Sequence, residues 1–389
     1  MKILYVVGFS NWWGNYPPDI LDREEGKTVG GGEAGALQTA FQLAALGHEV
    51  TYLSCALPGK YKGVTFASLD NFYEVHALGY PWDAICMWSM VLPSQAIGSD
   101  EATLVVQQLN DLAFRWGWWE NTDVLVSPSW AHARAMAHYI PKGVTLAQHA
   151  VGNGVDFDLF PWPPRLAPKD RPMTVGWWSS PDRGLHHLLR AWPQIHARVP
   201  TARLQVYYQV RKYIDHASQW GGRSKLMGGL IEKLLLQTEP IGVELVDQIP
   251  RRVLAKAQAE TRVQAYPCDP EGFTEGFATS ILEALSAGCL TITRPVDALP
   301  DLWDGVVRWL TRHPLDADFI DELADAVVAG LTEWPETLTS PTLDEMRARA
   351  SLWPWSAVGK EMETAIVKAV EIRKARRPAT TTAVEVATA

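Results

Sequence analysis

Lys2-Ile-Leu-Tyr-Val-Val7, then Gly30-Gly-Gly-Glu-Ala-Gly-Ala-Leu-Gln-Thr-Ala-Phe-Gln-Leu-Ala-Ala-Leu-Gly47, then His48-Glu-Val-Thr-Tyr-Leu-Ser54, is the stretch whose reading decides the fold. The first run is continuously apolar and of strand length, as a strand buried on both faces requires. In the second, Leu37, Phe41, Ala44 and Ala45 fall on one helical face, and Gly47 is a natural C-terminal stop. The third is again strand-like. Strand, glycine turn, helix and strand make a βαβ unit, with parallel pairing and a right-handed crossover as its default.

The plan recurs after residue 170. Met173–Trp178 reads as a strand, Ser179–Gly184 as a turn, Leu185–Ala197 as a helix and Ala202–Tyr208 as the next strand. Between the halves lies Phe160-Pro-Trp-Pro-Pro-Arg-Leu-Ala-Pro168, a proline-rich linker. Further strands are expected at Asp123–Ser129, Val243–Val246, Arg262–Pro267 and Leu290–Arg294, with helices at Trp130–Tyr139, Thr279–Ala287 and Ser356–Arg373. The expected class is α/β, with two doubly wound domains. Residues 1–160 form the first and 169–355 the second. The helix 356–373 returns to the first, and 374–389 is a disordered tail.

Composition bounds the partners. The chain has 389 residues, long enough for two domains at roughly 100 to 200 residues each. Its net charge of -9 argues against nucleic acid or anionic lipid as the main partner. A local basic stretch (Arg203, Arg211, Lys212, Arg223, Lys225) keeps DNA open. Cys55, Cys86, Cys268 and Cys289 form no CxxC pair, so no zinc framework or disulfide ladder is readable and a reducing cytoplasm fits best. No apolar run is long enough to span a membrane. Tryptophan is in surplus, with 18 against 11 Tyr and 10 Phe. Either the core is bulky or some indoles stack on a ligand.

The chemistry concentrates in Tyr266-Pro-Cys-Asp-Pro-Glu-Gly-Phe-Thr-Glu-Gly-Phe-Ala-Thr-Ser-Ile-Leu-Glu-Ala-Leu-Ser-Ala-Gly288. A strand end feeds a glycine-containing loop, and the loop opens a helix whose first N–H groups and dipole suit a phosphate. Glu275 stands before that helix and Glu283 within it. Glu283 also closes a Ser280-Ile-Leu-Glu283 capping box, and Glu275 also reads as a surface acid complementing the dipole. Two DxD triplets, Asp156-Phe-Asp158 and Asp316-Ala-Asp318, read as chance rather than as metal ligands. His149 reads as a partly buried, hydrogen-bonded histidine.

In this stretch the chain resembles the retaining, nucleotide-sugar-dependent glycosyltransferases of family 4, which have the GT-B fold. Glu275-Gly-Phe-Ala-Thr-Ser-Ile-Leu-Glu283 matches the family's E-x7-E signature. The glycine turn and its helix, Ser127–Ala133, Asn153-Gly-Val-Asp156 with Phe160, Ser179–Leu189 and the late Trp353–Ile366 run fall in the family's order, covering about residues 1 to 370. The resemblance implies that Glu275 faces the donor sugar, with Arg183 as the basic residue for the diphosphate. It implies that Gly276, Phe277, Ala278 and Thr279 lie against sugar and phosphate, and that Glu283 holds the ribose. Gly31 and Gly32 would let the backbone approach the phosphate. Lys212 is the substitute for the family's second basic residue, and base edges meet the backbone near Gln248–Arg252. Where many family members carry a histidine, this chain has Gln107, Gln108, Asn110 and Asp111.

The expected function is transfer of a sugar from a nucleotide diphosphate sugar, with a UDP-sugar foremost, to an acceptor hydroxyl with retention, needing no cofactor and no metal. Trp12, Trp13 and Gln108 are the acceptor-side candidates, and Trp116, Trp118, Trp119 and Trp130 add to that cluster. The acceptor stays open between a glycan, a small molecule, a protein and a modified DNA base. A nucleotide-sugar epimerase and a non-catalytic carbohydrate binder are the competing readings.

Overall fold

The computed structural model describes residues 1–8, 15–26, 28–79, 81–88, 105–108, 122–140, 142, 147–220, 222–269 and 273–376. The strands of the first half are β1 (Lys2–Val7), β2 (Glu49–Ser54), β3 (Gly59–Tyr61), β4 (Val64–Ser68), β5 (Ala84–Trp88), β6 (Val105–Gln108), β7 (Val124–Ser127) and β8 (Ala147–Ala150). They form one sheet in the order β3-β4-β2-β1-β5-β6-β7-β8. Every pair is parallel except the β3–β4 hairpin at the edge. Parallel pairing needs cover on both faces, and β1 accordingly is buried from Ile3 to Val7.

The second half supplies β9 (Thr174–Trp177), β10 (Arg203–Val206), β11 (Val243–Leu245), β12 (Val263–Tyr266), β13 (Leu290–Thr293) and β14 (Arg308–Trp309). They pair in the order β11-β10-β9-β12-β13-β14, all parallel. This is the doubly wound order, which reverses between β9 and β12. Such sheets bind ligands outside the carboxyl ends of the strands at that reversal. The segments leaving those two strand ends carry Trp178 to Arg183 and Pro267 to Glu275.

Each sheet has its own core. Trp177, Trp192, Trp303 and Trp334 are fully buried in the second, which accounts for part of the tryptophan surplus by packing. Val155 and Phe160 also belong to the second core, so the chain leaves the first core ahead of the proline-rich run. Val155 forms a bridge with Pro354, where the chain crosses back.

Beyond that crossing, the helix Trp355–Arg376 puts Trp355, Val358, Met362, Ala365, Ile366 and Ala369 into the first core. Glu363 lies 2.8 Å from His48, and Glu361 lies 3.2 Å from His149, which gives His149 the hydrogen-bonded place expected of it. The helix runs on to Arg376, so residues 374–376 of the expected tail are helical, and 377–389 fall outside the described residues. No helix among the described residues is long and apolar enough to cross a membrane.

The halves also meet along a polar seam. Asp22 accepts from Tyr61 at 2.5 Å and faces Lys62 at 2.6 Å and, across the seam, Arg252 at 3.1 Å. Burial works against its charge, but these three partners together hold its pKa below the ordinary value. Lys256 reaches Glu24 at 3.2 Å, and Arg134 pairs with Asp301.

The return helix touches the glycine-led helix Gly31–Ala45 so closely that a Cβ on Gly359 would lie 2.4 Å from Cβ of Gln42. Gly359→Leu is therefore expected to lower stability by about 1–3 kcal/mol through overpacking. Urea denaturation compared with a Lys360→Ala control measures it.

Candidate active site

A cleft of about 440 Å³ lies between the halves. From the first half it is lined by Leu21, Thr28 to Ala34, Pro128 and Asn153, and from the second by Trp178, Arg183, Tyr208, Gln248, Arg251, Tyr266, Thr274 to Ser280 and Glu283, among others. Two helix N-termini open onto it. Gly31 and Gly32 begin one, where a Cβ on Gly31 would meet nothing within 4 Å. Thr279 begins the other.

The helix Thr279–Ala287 decides the ambiguity over Glu283. Its N-cap residue is Ala278, in a left-handed conformation (φ 58°), and no side chain caps the end. Glu283 forms no capping box. Its Oε1 lies 2.7 Å from Nη2 of Arg251, and its Oε2 accepts from Gln258 Nε2 at 3.0 Å. A buried carboxylate needs such partners. Ile281 N–H donates to the Ala278 carbonyl at 2.9 Å, and the N–H groups of Thr279 and Ser280 are left to a ligand, the arrangement that favours an anion.

Glu275 is buried, and its Oε1 lies 3.3 Å from Nη1 of Arg183. The same guanidinium donates to Thr274 Oγ1. Gly184 makes this possible. At φ 112°, its Cβ position falls 2.4 Å from the Pro267 carbonyl oxygen, so only glycine lets the Arg183 turn press against the Glu275 loop. Asp297 holds the loop from the other side, its Oδ2 accepting from the N–H groups of Thr274 and Glu275 at 2.9 Å each.

Burial raises the pKa of Glu275, and Arg183 and the Tyr266 hydroxyl pull back only part of that rise. Burial also opposes the charge on Arg183, but Glu275, Tyr266 and Asp182 overcompensate and its pKa rises. The ion pair thus secures the cation while the carboxylate carries a residual desolvation cost.

The structure brings together Gly31, Gly32, Arg183, Glu275, Gly276, Phe277, Ala278, Thr279 and Glu283 on one cleft, as the sequence predicts. Gln248, Ile249 and Arg251, expected near the base, line it too. Lys212 is not among the lining residues. It sits on the helix Val210–Trp220 and lines an adjoining depression with Arg211, Glu239 and Asp247. The second guanidinium at the cleft is that of Arg251, which no motif marked. Trp12, Trp13, Trp116, Trp118 and Trp119 lie outside the described residues, and of Gln108 only the backbone, at the end of β6, is described. Trp130 is 57% exposed and lines a second cavity with Phe277 and Trp353. Both DxD triplets have local duties: Asp156 accepts from Asp158 N–H at 3.1 Å, Asp316 from His313 N–H at 2.8 Å, and Asp318 pairs with Arg312 at 3.1 Å.

Against known proteins, no protein-family model matches the chain, and no curated protein matches its sequence. Solved structures do match it along nearly its whole length. Sucrose-phosphate synthase from Thermosynechococcus elongatus shares 15% identity at a TM-score of 0.66, over 94% of this chain and 98% of that one. A glycosyltransferase from Rickettsia africae gives 13% and 0.66 over 95% and 98%. Anabaena HepE in complex with UDP and glucose gives 17% and 0.63 over 94% and 99%. The fold is GT-B. In this GT-B chain the cleft between the two sheets is therefore the cleft between the two GT-B domains.

Two outcomes follow from the buried carboxylates. A carboxyl whose pKa is raised on folding contributes stability that is complete below its unfolded value, near 4.5, and lost as pH rises through the folded value. Glu275→Gln should therefore unfold at a higher temperature than wild type at neutral pH, with the difference closing in acid; thermal melts across that pH range measure it. Arg251→Ala leaves Glu283 buried beside Gln258 alone and should cost about 3–5 kcal/mol. Adding Glu283→Gln should return part of that loss in urea denaturation.

Proposed function

We propose that the chain is a retaining glycosyltransferase of the family 4 type, moving a sugar from a nucleotide diphosphate sugar, a UDP-sugar foremost, to an acceptor hydroxyl. The observation that carries this reading is the order of groups along one stretch of chain lining the cleft. Glu275, with its partner Arg183, comes before the uncapped N-terminus of Thr279–Ala287, and Glu283, with its partner Arg251, comes after it. Sugar, diphosphate and ribose have the same order of chemistry, with hydroxyls, charge, then hydroxyls. The HepE structures bound to UDP and glucose, and to UDP-glucose, support UDP as the carrier.

In this reading the diphosphate accepts from the helix N–H groups and from Arg183. Glu275 accepts hydrogen bonds from the sugar hydroxyls and orients the ring; it is not assigned a covalent role. Glu283, already turned by Arg251 and Gln258, takes the ribose hydroxyls, and the backbone near Gln248 meets the base. The bond from the anomeric carbon to the phosphate oxygen breaks as that to the acceptor oxygen forms on the same face. The acceptor proton leaves with the departing phosphate oxygen. Arg183 and the helix end stabilise the charge that develops there, so the chain's own groups suffice without a metal. Gly31 and Gly32, on the facing domain, close over the phosphate.

Glu275→Gln keeps the shape of the side chain and removes its charge. It is expected to lower turnover about 100-fold with a UDP-sugar, since orientation at the reacting centre is lost. A panel of UDP-, GDP- and ADP-sugars, with released nucleotide as the readout, measures both donor choice and loss. Unchanged turnover in the variant overturns the assignment.

A further inference from the structure

The turn that presents Arg183 runs straight into His186 and His187, at the start of the helix Leu185–Arg198, and both imidazoles are buried. Their ring centroids lie 3.8 Å apart. Nε2 of His187 lies 3.0 Å from Oδ2 of Asp269, on the segment that leads from β12 toward Glu275. One ligand atom from each of the three residues falls within 4.8 Å of the other two. Nδ1 of His186 and Nδ1 of His187 are both enclosed, and neither meets a hydrogen-bond partner. A buried polar atom left unsatisfied costs about 1–3 kcal/mol, and the one on His186, beside an imidazole and a carboxylate, calls for a reason; His187 presents its other nitrogen, Nε2, to Asp269.

We propose that His186, His187 and Asp269 form a binding site for a borderline divalent transition metal of the zinc or nickel kind, which pins the Arg183 turn to the Glu275 loop. Two imidazole nitrogens and one carboxylate oxygen are a donor set for such ions, whereas magnesium and calcium favour all-oxygen shells. Three protein ligands leave a fourth position for water. In a tetrahedral site, bonds of about 2.0–2.2 Å put ligand atoms about 3.4 Å apart, so the His187–Asp269 pair is in range once the proton between them is displaced, and His186 closes by up to about 1.4 Å.

Charge state agrees with the geometry. Metal ligands must be unprotonated, and burial foremost, with His187 beside it, pulls the His186 pKa down to about 3. The hydrogen bond from His187 leads the causes that hold Asp269 below the ordinary carboxylate value. Two guanidiniums oppose the ion, Arg294 at 3.6 Å and Arg223 at 3.9 Å from the same carboxylate. Both distances are longer than a hydrogen-bonded pair, and Arg294 is committed to the Cys268 carbonyl at 2.9 Å. They weaken the site without filling it. The N–H of Asp269 already donates to the Arg183 carbonyl at 3.2 Å, so the ion would lock a contact that exists.

The test uses the full chain without a histidine tag, stripped with EDTA and exchanged into chelator-free buffer. Zinc, cobalt and magnesium chlorides are then titrated by calorimetry and thermal melting. The expected result is one equivalent of zinc bound with a rise in melting temperature, a visible cobalt band of low coordination number, and no effect of magnesium. His186→Ala removes one ligand and leaves the His187–Asp269 contact, and Asp269→Asn is the second variant. Each should weaken zinc at least about tenfold, the low end for disturbing such a site. No zinc binding, a magnesium response equal to that of zinc, or zinc affinity unchanged in both variants overturns the proposal. None of these readouts depends on sugar transfer.

Discussion

The cleft depends on one short helix, Thr279–Ala287, being held firmly at one end and left open at the other. Its C-terminal carbonyls are the harder problem, because seven of its nine residues are buried. Arg171, only 2% exposed, solves it: Nη2 donates to the Ala287 carbonyl at 2.8 Å, and Nη1 to those of Gly288 and Thr261 at 2.8 Å each. A guanidinium there also complements the negative end of the dipole. With that end satisfied inside the protein, the N-terminal N–H groups can stay free at the cleft without threatening the fold. The cost is local, an alanine in left-handed backbone at position 278, where roughly 1–2 kcal/mol of strain is expected. Strain of this kind persists only where the surroundings over-determine it.

The loop before the helix obeys the same logic. Glu275 is anchored by its backbone to Asp297, itself at φ 52°, while its carboxylate is left to Arg183 and Tyr266. Separating the residue that holds the backbone from the residue that meets the side chain fixes the position of the carboxylate and leaves its chemistry available. Asp269 and the two histidines act one step further back, where the Arg183 turn and the Glu275 loop are joined.

What was legible in the sequence was what repeats locally. Continuous apolar runs located β1, β9, β12 and β13, and the helix Thr279–Ala287 has the bounds read from its pattern. The glycine turn, Arg183, Glu275 and Glu283 were found because each stands beside such an element. The side-chain roles of Arg251 and Asp297 were not, because their meaning lies in partners 32 and 22 residues away in sequence. Nothing local marks an arginine at a helix start as the counter-ion of a distant glutamate. Lys212, expected as a cation just past β10, lines the neighbouring depression, because a short polar stretch leaves helical phase undetermined in sequence. The β3–β4 hairpin escaped because its strands of three and five residues carry too little alternation to read.

Under the proposed function, charge at the cleft bears on how a nucleotide diphosphate lies there. Among the described lining residues, three carboxylates (Glu33, Glu275, Glu283) stand against two guanidiniums (Arg183, Arg251), so those side chains give no positive excess. The two helix N-termini then add to Arg183 in attracting a phosphate, each worth about half a positive charge and each ending at the cleft without a side-chain cap. Both helix ends line the same cleft as the three carboxylates. In the proposed pose the diphosphate meets the helix ends, and groups that donate hydrogen bonds without carrying charge meet the carboxylates. A ligand with hydroxyls at both ends and phosphate between meets that demand, whereas a free nucleotide triphosphate would push its terminal phosphate toward Glu275. Under the proposed function the pattern of fixed charge thus favours a sugar on the far side of the diphosphate.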